Sequence, residues 1–271
     1  MEGEFHRRSF REEELDLLRK RVIGKHRVCK GTGYVEELVK EEGSLFARKI
    51  VEQCRCRKKF DLASRFLISE IPYRVLVNQQ IYGKMVVDVT AGNKIELRRE
   101  VIKPYIKSLR KALSTPFGFL FLGKNGTGKT FVGLKILYYS IITGFTAHNI
   151  DMADYLKLTR AAFEKYSDIE KRINEIQNVD ILLIDELGNE SRSSTYVISE
   201  FKSLFKKRIT ARKPTIIISN YSYEEFKRVY GRSVNNIVSS HCRVFDFSEA
   251  ADVRKTKCSN EMDLFFKKLK K

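Results

Sequence analysis

The sequence predicts an α/β protein in which helices cover a five-stranded parallel β-sheet, preceded by a small N-terminal module. The first observation is that short, mostly apolar runs alternate with helical periodicity from Phe117 onward. The second is that each run has about four residues, a length that suits a buried strand better than a helix. Helix-length segments separate the runs, as parallel strands require. The five predicted strands are residues 119–122, 146–149, 181–184, 215–218 and 244–247.

The composition is that of a globular protein with a large excess of positive charge. Of 271 residues, 42% are hydrophobic and 32% are charged, which argues against a disordered chain and against a membrane protein. The apolar runs are shorter than the ~18 residues that span a bilayer, and no signal peptide opens the chain. We therefore expect a cytoplasmic location and no membrane contact. The net charge of +18 favours nucleic acid as a partner, although a solubilising surface or adaptation to high temperature would also produce it.

Two changes in composition and hydrophobic periodicity divide the chain into three parts. Residues 1–60 hold three of the five cysteines and open with a predicted amphipathic helix over residues 11–22. Residues 61–100 combine weak periodicity with turn signals, which is typical of a linker. Residues 101–271 form the main domain and begin with a helix that Pro116 ends. The odd number of cysteines, without a secretory signal, argues against a disulfide framework and leaves metal ligation or simple burial.

A glycine-rich loop follows the first predicted strand of the main domain and precedes a helical segment over residues 131–142. Glycines let backbone N–H groups wrap around phosphates, and the N-terminus of the next helix favours negative charge. Lys129 can reach the β- and γ-phosphates, and the hydroxyl of Thr130 can ligate Mg²⁺. The pattern therefore predicts nucleotide binding, with a plain glycine-rich turn as the weaker alternative. The loop consists of Gly123, Lys124, Asn125, Gly126, Thr127, Gly128, Lys129 and Thr130.

Acidic residues end a later buried strand, as the second half of such a site requires. Asp185 and Glu186 follow the apolar run 181–184. Asp185 would hold Mg²⁺ directly or through water, and Glu186 would orient or deprotonate the attacking water, which favours hydrolysis over storage of the nucleotide. Capping of the next helix by both carboxylates is the alternative. Asn220 ends the next strand, where it could bind the attacking water or the γ-phosphate, or simply form a turn.

The motifs GKNGTGKT, ILLIDELGNE and KPTIIISN, in this order, closely resemble those of the AAA+ ATPases of the bacterial helicase-loader group, the DnaC and DnaI type, and of their relative IstB. The similarity covers roughly residue 71 to the end. It implies an AAA+ P-loop fold, ATP hydrolysis and a sensor role for Asn220. Family members also use an arginine that reaches the nucleotide bound by a neighbouring subunit. Asn236 occupies the position of that arginine here, so Arg232 is the nearest substitute. Arg254 loosely matches a further nucleotide-sensing arginine. The remaining candidates for the neighbour's arginine are Arg208, Arg228 and Arg243.

The N-terminal cysteines resemble the zinc-binding domain of DnaI-type loaders, in which a Cys-x-x-Cys with a Gly-Thr-Gly cluster precedes a Cys-x-Cys. The resemblance implies a Zn²⁺ site formed by His26, Cys29, Cys54 and Cys56. His26 takes the first ligand position, and both imidazole and thiolate suit tetrahedral Zn²⁺. Burial of the cysteines in a small reduced core is the alternative.

The resemblance also implies a function. It indicates an ATP-dependent loader that binds a hexameric replicative helicase through its N-terminal module, places it on single-stranded DNA and assembles into an oligomer with ATP. An IstB-like helper of transposition acting on duplex DNA is the second interpretation, and a non-catalytic nucleotide-gated DNA-binding regulator is the third. Related initiators place a DNA-contacting insertion after the second strand, where an ordinary solvated helix is an equal alternative. The cationic and aromatic residues there are Lys157, Arg160, Phe163, Lys165, Tyr166, Lys171 and Arg172.

Overall fold

In the computed structural model, the chain forms two compact units, Met1–Ser69 and Glu70–Lys271. No helix in the described part of the chain is long and apolar enough to cross a membrane. The predicted helix over residues 11–22 lies outside the described residues. The structure describes residues 27–30, 32–40, 47–72, 86–89, 93–162, 167–189 and 195–250.

The described part of the first unit contains a β-hairpin followed by one helix. Strands β1 (Tyr34–Lys40) and β2 (Ala47–Gln53) pair in antiparallel register, and helix α1 (Arg55–Ile68) begins two residues after β2. Three buried cysteines lie at the centre of this unit, and Val35 and Phe60 pack against them. Among the described residues, the buried part of this cluster contains no large aliphatic side chain, so these residues bury little apolar surface there.

The second unit is built on a seven-stranded sheet. Its strands are β3 (Val86–Val89), β4 (Asn93–Glu96), β5 (Gly118–Leu122), β6 (Ala147–Asp151), β7 (Ile181–Leu187), β8 (Thr215–Ser219) and β9 (Cys242–Asp246). They lie in the order β4-β3-β9-β5-β8-β7-β6. The five strands from β9 to β6 run parallel, which confirms the predicted parallel sheet. Strands β3 and β4 extend it as an antiparallel ribbon beside β9.

The ribbon is a difference from the sequence analysis, which treats residues 61–100 as a linker. Two strands from this segment belong to the sheet, and α1 extends past residue 60. Asp88 interrupts β3 and β4 has one apolar residue, so neither segment has the continuous apolar run that marks the predicted strands. Pairing with β9, which only the tertiary structure provides, makes them strands.

Seven helices connect and cover the strands in the described part of this unit. The predicted helix from residue 101 is a π-helical turn (Arg98–Ile102) and two short helices, because Ser108 leaves the helical conformation between them. The last helix begins with a capping box between Ser222 and Glu225 and is kinked at Gly231. The helices are α2 (Lys103–Lys107), α3 (Leu109–Ala112), α4 (Lys129–Ile142), α5 (Met152–Ala162), α6 (Ser167–Asn178), α7 (Thr195–Thr210) and α8 (Tyr223–His241).

Helices on both faces bury the central strands completely. Every residue of β5 and β8 is buried, as expected for parallel strands covered on two sides. On β5 and β9, Phe119, Phe121 and Phe245 pack with ring centroids 5.7 to 6.0 Å apart. The large core fixes the ends of the strands, where the loops that carry function begin.

A buried arginine holds the sheet at the end where the parallel strands begin, which we call the amino end. The guanidinium of Arg208 donates to the hydroxyl of Thr215 and to the carbonyls of Gln177, Val179 and Pro214 at 2.7 to 3.0 Å. Its burial lowers the pKa of Arg208 to about 9. Carbonyl groups at the end of α6 and before β8 thus obtain a charged donor.

We expect Arg208→Met to destabilise the protein by about 3 kcal/mol or more, because the substitution leaves buried carbonyls without a donor. Urea unfolding would measure the change. The control is Arg212→Met, since Arg212 is exposed and its side chain donates one hydrogen bond, of 3.4 Å, among the described residues; the effect of this substitution should stay within about 0.5 kcal/mol. Equal losses in the two variants would contradict the role given to Arg208.

Candidate functional sites

The predicted phosphate-binding loop connects β5 to α4 at the opposite, carboxyl end of the parallel strands. Its turns use left-handed backbone at Gly123, Gly126 and Gly128, with φ of 115°, 83° and 93°. Gly123 is needed for a second reason, because a Cβ there would lie 2.8 Å from the backbone nitrogen of Ser248. Gly128 directly precedes α4, whose unpaired N–H groups are therefore available to an anion in the loop.

Lys129 is the first residue of α4, and its side chain is buried within the loop. The ammonium group donates to the carbonyl oxygens of Gly123 at 2.5 Å and Lys124 at 2.7 Å. The buried hydroxyl of Thr127 donates to the same Lys124 carbonyl at 2.9 Å. The loop thus encloses a cation among its own backbone groups, the arrangement by which such loops neutralise phosphate charge. Asn125 and Lys124 are exposed on its outer side.

Asp185 of β7 and Thr130 of α4 meet beside this lysine. The Thr130 hydroxyl donates to the Asp185 carboxylate, and the N–H of Glu186 donates to Asp185 Oδ1 at 2.7 Å. Burial raises the pKa of Asp185, while these hydrogen bonds and the charge of Lys129 oppose the rise. A hydroxyl and a carboxylate are hard oxygen ligands of the kind that Mg²⁺ takes together with phosphate oxygens. Thr130 and Asp185 therefore fit a magnesium ion.

Glu186 is exposed next to Asp185 and has an unusual backbone conformation. Its φ is 55°, in the left-handed region that non-glycine residues rarely adopt. The pairing of β7 with β8 shifts register between Ile184 and Leu187, so the strand is irregular at this point. Strained positions of this kind are concentrated at functional sites. The irregularity lets one carboxylate be buried and the next be exposed.

Asn220 follows β8, and the next residue, Tyr221, connects three parts of the site. The Asn220 amide donates to Asn189 Oδ1 at 3.4 Å. The Tyr221 carbonyl accepts from the N–H of Gly123, and its hydroxyl donates to the carbonyl of Gly188, both at 3.0 Å. Gly188 has φ 104°, and a Cβ on it would lie 2.4 Å from Cε2 of the tyrosine ring. Sequence reasoning missed Tyr221, because no local pattern marks a residue that connects loops through long-range contacts.

A third carboxylate, which sequence reasoning also missed, comes from β6. Asp151 ends that strand and is paired with Asp185 in parallel register. Burial, followed by the charges of Asp185 and Glu186, raises the pKa of Asp151 to about 6. The sequence signal that could have identified Asp151 is the change from apolar to polar residues at the end of the second predicted strand. The same feature at the end of a later strand predicted Asn220. Three carboxylates here concentrate negative charge that a divalent cation would offset.

In the first unit, three cysteine thiols converge at the beginning of α1. The Sγ atoms of Cys29 and Cys56 are 3.4 Å apart, and those of Cys29, Cys54 and Cys56 all lie within 4.8 Å of one another. The N–H of Cys54 donates to the carbonyl of Gly33 at 2.9 Å, which joins the turn that carries Cys29 to the end of the hairpin. Burial, with a contribution from the two neighbouring thiols, raises the pKa of Cys56 to about 12.

These thiols fit a tetrahedral zinc ion. Zinc–sulfur bonds of about 2.3 Å place neighbouring sulfur ligands about 3.8 Å apart, within the range of this cluster. Cys56 lies in the first turn of α1 and Cys54 directly precedes it, where the helix dipole stabilises thiolates. His26, the predicted fourth ligand, lies outside the described residues.

The arginines proposed to reach a neighbouring nucleotide differ in their environments. Arg232 is exposed and directly follows the kink of α8 at Gly231, where φ is 72°. Arg208 is buried and its guanidinium donates the four hydrogen bonds described above within its own subunit, so its candidacy is wrong. Arg243 lies at the amino end of β9, away from the loop of its own subunit. Arg254 lies outside the described residues.

The predicted DNA-contacting segment forms α5 and α6, and several of its cations have local partners. Lys157 pairs with Asp154 at 2.7 Å, and Arg172 pairs with Glu70 at 2.9 Å. The Arg160 guanidinium lies 5.1 Å from the ring centre of Tyr196. These contacts, and the acidic side chains on α6, leave this surface with little excess positive charge among the described residues. The acidic residues of α6 are Asp168, Glu170 and Glu175, and the predicted residues Phe163, Lys165 and Tyr166 lie outside the described residues.

Comparison with known proteins finds similarity in the region that holds the phosphate-binding loop and its acidic partners. Residues 113–239 match the family model described as IstB-like ATP binding protein. The replicative helicase loader DnaC of Buchnera aphidicola subsp. Baizongia pistaciae is 29% identical over 136 residues, covering 49% of this chain and 53% of that protein. The DnaC loader of Escherichia coli strain K12 is 29% identical over 119 residues, covering 43% and 47%. A crystal structure of the DnaC helicase loader is similar with a TM-score of 0.48 and 21% identity, covering 54% of this chain and 85% of that one.

The chain spans about half the length of the curated relatives it matches. The family match contains the phosphate-binding loop, the acidic end of β7 and Asn220, and it excludes the cysteine cluster. It therefore confirms the resemblance predicted from the motifs: residues 113–239 are similar to the IstB-like ATP binding proteins, and the DnaC helicase loaders are similar to just under half of the chain.

Proposed function

We propose that this protein hydrolyses ATP and uses the nucleotide cycle to load a hexameric replicative helicase onto single-stranded DNA. The observation that carries the proposal is the convergence of Lys129, Thr130, Asp185 and Glu186 at one end of the parallel sheet. A buried cation, a hydroxyl–carboxylate pair and an exposed carboxylate are the parts that phosphoryl transfer to water requires. The likeness to the DnaC loaders supports the helicase as the partner.

Each residue of the site has a proposed task. The loop N–H groups and Lys129 bind and neutralise the phosphates, while Thr130 and Asp185 would hold Mg²⁺, which supplies charge neutralisation between the phosphates. Glu186 accepts a proton from the attacking water or orients it, since its exposed carboxylate lies beside the buried one. Asn220 senses the γ-phosphate, and its hydrogen bond to Asn189 connects it to the loop after Glu186.

The ATPase assignment predicts two separable defects. Lys129→Ala should weaken ATP binding by at least about tenfold, because it removes the buried counter-charge of the phosphates. Glu186→Gln should retain ATP binding and lower kcat by about 100-fold or more, because it removes the proton acceptor. Nucleotide titration and phosphate release measure the two effects, with Glu175→Gln on exposed α6 as control. Turnover by Glu186→Gln at the rate of the unmodified protein would contradict the assignment.

We also propose that Arg232 completes the site of a neighbouring subunit in an ATP-dependent oligomer. Arg232→Ala should bind ATP normally and lose roughly 10³-fold in turnover, because the cation stabilises charge developing in the transition state. Mixing Arg232→Ala with Lys129→Ala should restore partial activity, since one chain supplies an intact loop and the other an intact arginine. A mixture that co-assembles yet stays inactive would contradict the role of Arg232 and would leave Arg228 and Arg243 as the candidates.

For the first unit we propose one structural Zn²⁺, bound by His26, Cys29, Cys54 and Cys56. Metal analysis should find one zinc per chain, and a chelator should unfold this unit while ATP binding by the second unit persists. A Cys54→Ser, Cys56→Ser variant should lose the zinc. Cys242→Ser, which alters a buried cysteine of the second unit, should retain it. Zinc content near zero before chelation would refute the site.

The loader function is tested with closed single-stranded DNA circles, the replicative helicase of the same organism, and this protein. ATP should increase the amount of helicase on the circles, and Lys129→Ala should abolish the increase. The family match favours one other function, that of an IstB-like helper of transposition. Binding to duplex in preference to single-stranded DNA, together with no effect on helicase loading, would favour that function instead.

A further inference from the structure

Three segments of the second unit meet at the amino end of the parallel sheet, away from the nucleotide site. Arg212, after α7, donates to the carbonyl of Ser114, before β5, at 3.4 Å. Gly118 and Cys242 are register partners where β5 and β9 begin. A cavity of about 340 Å³ lies there, lined by Phe117, Phe119 and residues 239–243. We call the surface formed by residues 107–117, 206–213 and 239–243 the basic surface.

The basic surface carries positive charge without carboxylates of its own. The sequence contains no aspartate or glutamate in residues 101–118, 201–215 or 226–245. The neighbouring carboxylate of Asp180 accepts hydrogen bonds from the backbone and hydroxyl of Thr146. Among the described residues, no ion pair involves the exposed cations of this surface. Those cations are Lys107, Arg110, Lys111, Lys206, Lys207, Arg212 and Arg243.

An aromatic pair lies among these cations. Phe117 is 57% exposed, and its ring stacks on His241 with centroids 6.3 Å apart and planes 26° from parallel. His241 is held by contact with the buried Phe205 and by a hydrogen bond between its Nδ1 and the carbonyl of Ile237 at 2.9 Å. The guanidinium of Arg243 is fixed over the ring of Phe245. An exposed aromatic face therefore lies on the same surface as the cations, and Arg243 lines the cavity beside it.

We propose that the basic surface binds single-stranded nucleic acid, with phosphates at the cations and an unpaired base on the Phe117–His241 pair. The proposal deepens the proposed function, because it assigns the DNA contact to a surface that sequence reasoning did not identify. Stacking on Phe117 requires a base whose face is free, which duplex DNA does not offer within its helix. On α5 and α6, by contrast, Lys157 and Arg172 are engaged by carboxylates.

The first test is the salt dependence of binding to a fluorescent oligodeoxythymidylate. The basic-surface variant carries Arg110→Gln, Lys111→Gln, Arg212→Gln and Arg243→Gln. Its slope of log K against log salt should be shallower by up to about 3, because each lost phosphate contact removes about 0.7. The matched control removes four cations from the other surface through Lys157→Gln, Arg160→Gln, Lys171→Gln and Arg172→Gln. ATP binding by each variant reports that the second unit is folded.

The second test isolates stacking. Phe117→Ala should weaken binding of the oligonucleotide about five- to 100-fold, and Phe117→Tyr should retain it, because only the tyrosine keeps an aromatic face. Ile142→Ala is the matched control, since it shortens another exposed apolar side chain of the same unit. Duplex DNA and phosphatidylserine vesicles are tested in parallel, and their binding should not depend on Phe117.

The outcomes separate the two proposals. If the unmodified protein binds the oligonucleotide and only the α5–α6 control variant has a shallower slope of log K against log salt, the proposal for the basic surface is overturned. The proposed loader function then stands. Equal sensitivity of duplex or vesicle binding to Phe117→Ala would also overturn it. If the unmodified protein neither binds the oligonucleotide nor loads helicase, the proposed function itself fails.

Discussion

Parallel pairing of β9, β5, β8, β7 and β6 is the constraint on which the rest of the second unit depends. Parallel strands must all end at the same side of the sheet, so residues far apart in sequence arrive together there. Asp151 is opposite Asp185 because β6 and β7 are in parallel register. The loop after β5 and Asn220 after β8 reach the same end for the same reason. A site assembled in this way is only as precise as the buried strands, which are fixed by helices on both faces.

Short backbone contacts then connect the loops at this end. The Tyr221 carbonyl binds the N–H of Gly123, and the tyrosine hydroxyl binds the carbonyl of Gly188. The phosphate-binding loop, the loop after Glu186 and the end of β8 are thereby joined through one residue. The close approach of the ring requires glycine at position 188. A displacement of any one of these loops would therefore strain the other two.

Charge is distributed unequally between the two ends of the sheet. Asp151, Asp185 and Glu186 lie at the carboxyl end, where the charge of Lys129 acts on Asp185 and a divalent cation would offset more of the repulsion between the carboxylates. At the amino end the buried Arg208 satisfies carbonyl groups, and exposed lysines and arginines surround it. The first unit differs from the second in its core, because in its described part three cysteine thiols form the buried cluster where a larger domain would place aliphatic side chains.

The sequence by itself determined the parallel sheet and the main residues of the nucleotide site. Apolar runs of strand length, and a loop of fixed spacing before a helix, are local patterns, so Lys129, Thr130 and Asp185 were identified without coordinates. Three features depended on the tertiary structure. Strands β3 and β4 exist through pairing with β9, Tyr221 acts through contacts with residues 33 and 98 positions away, and Arg208 proved structural rather than catalytic. Their roles come from long-range contacts, and a local pattern carries no information about which distant groups will meet a given side chain.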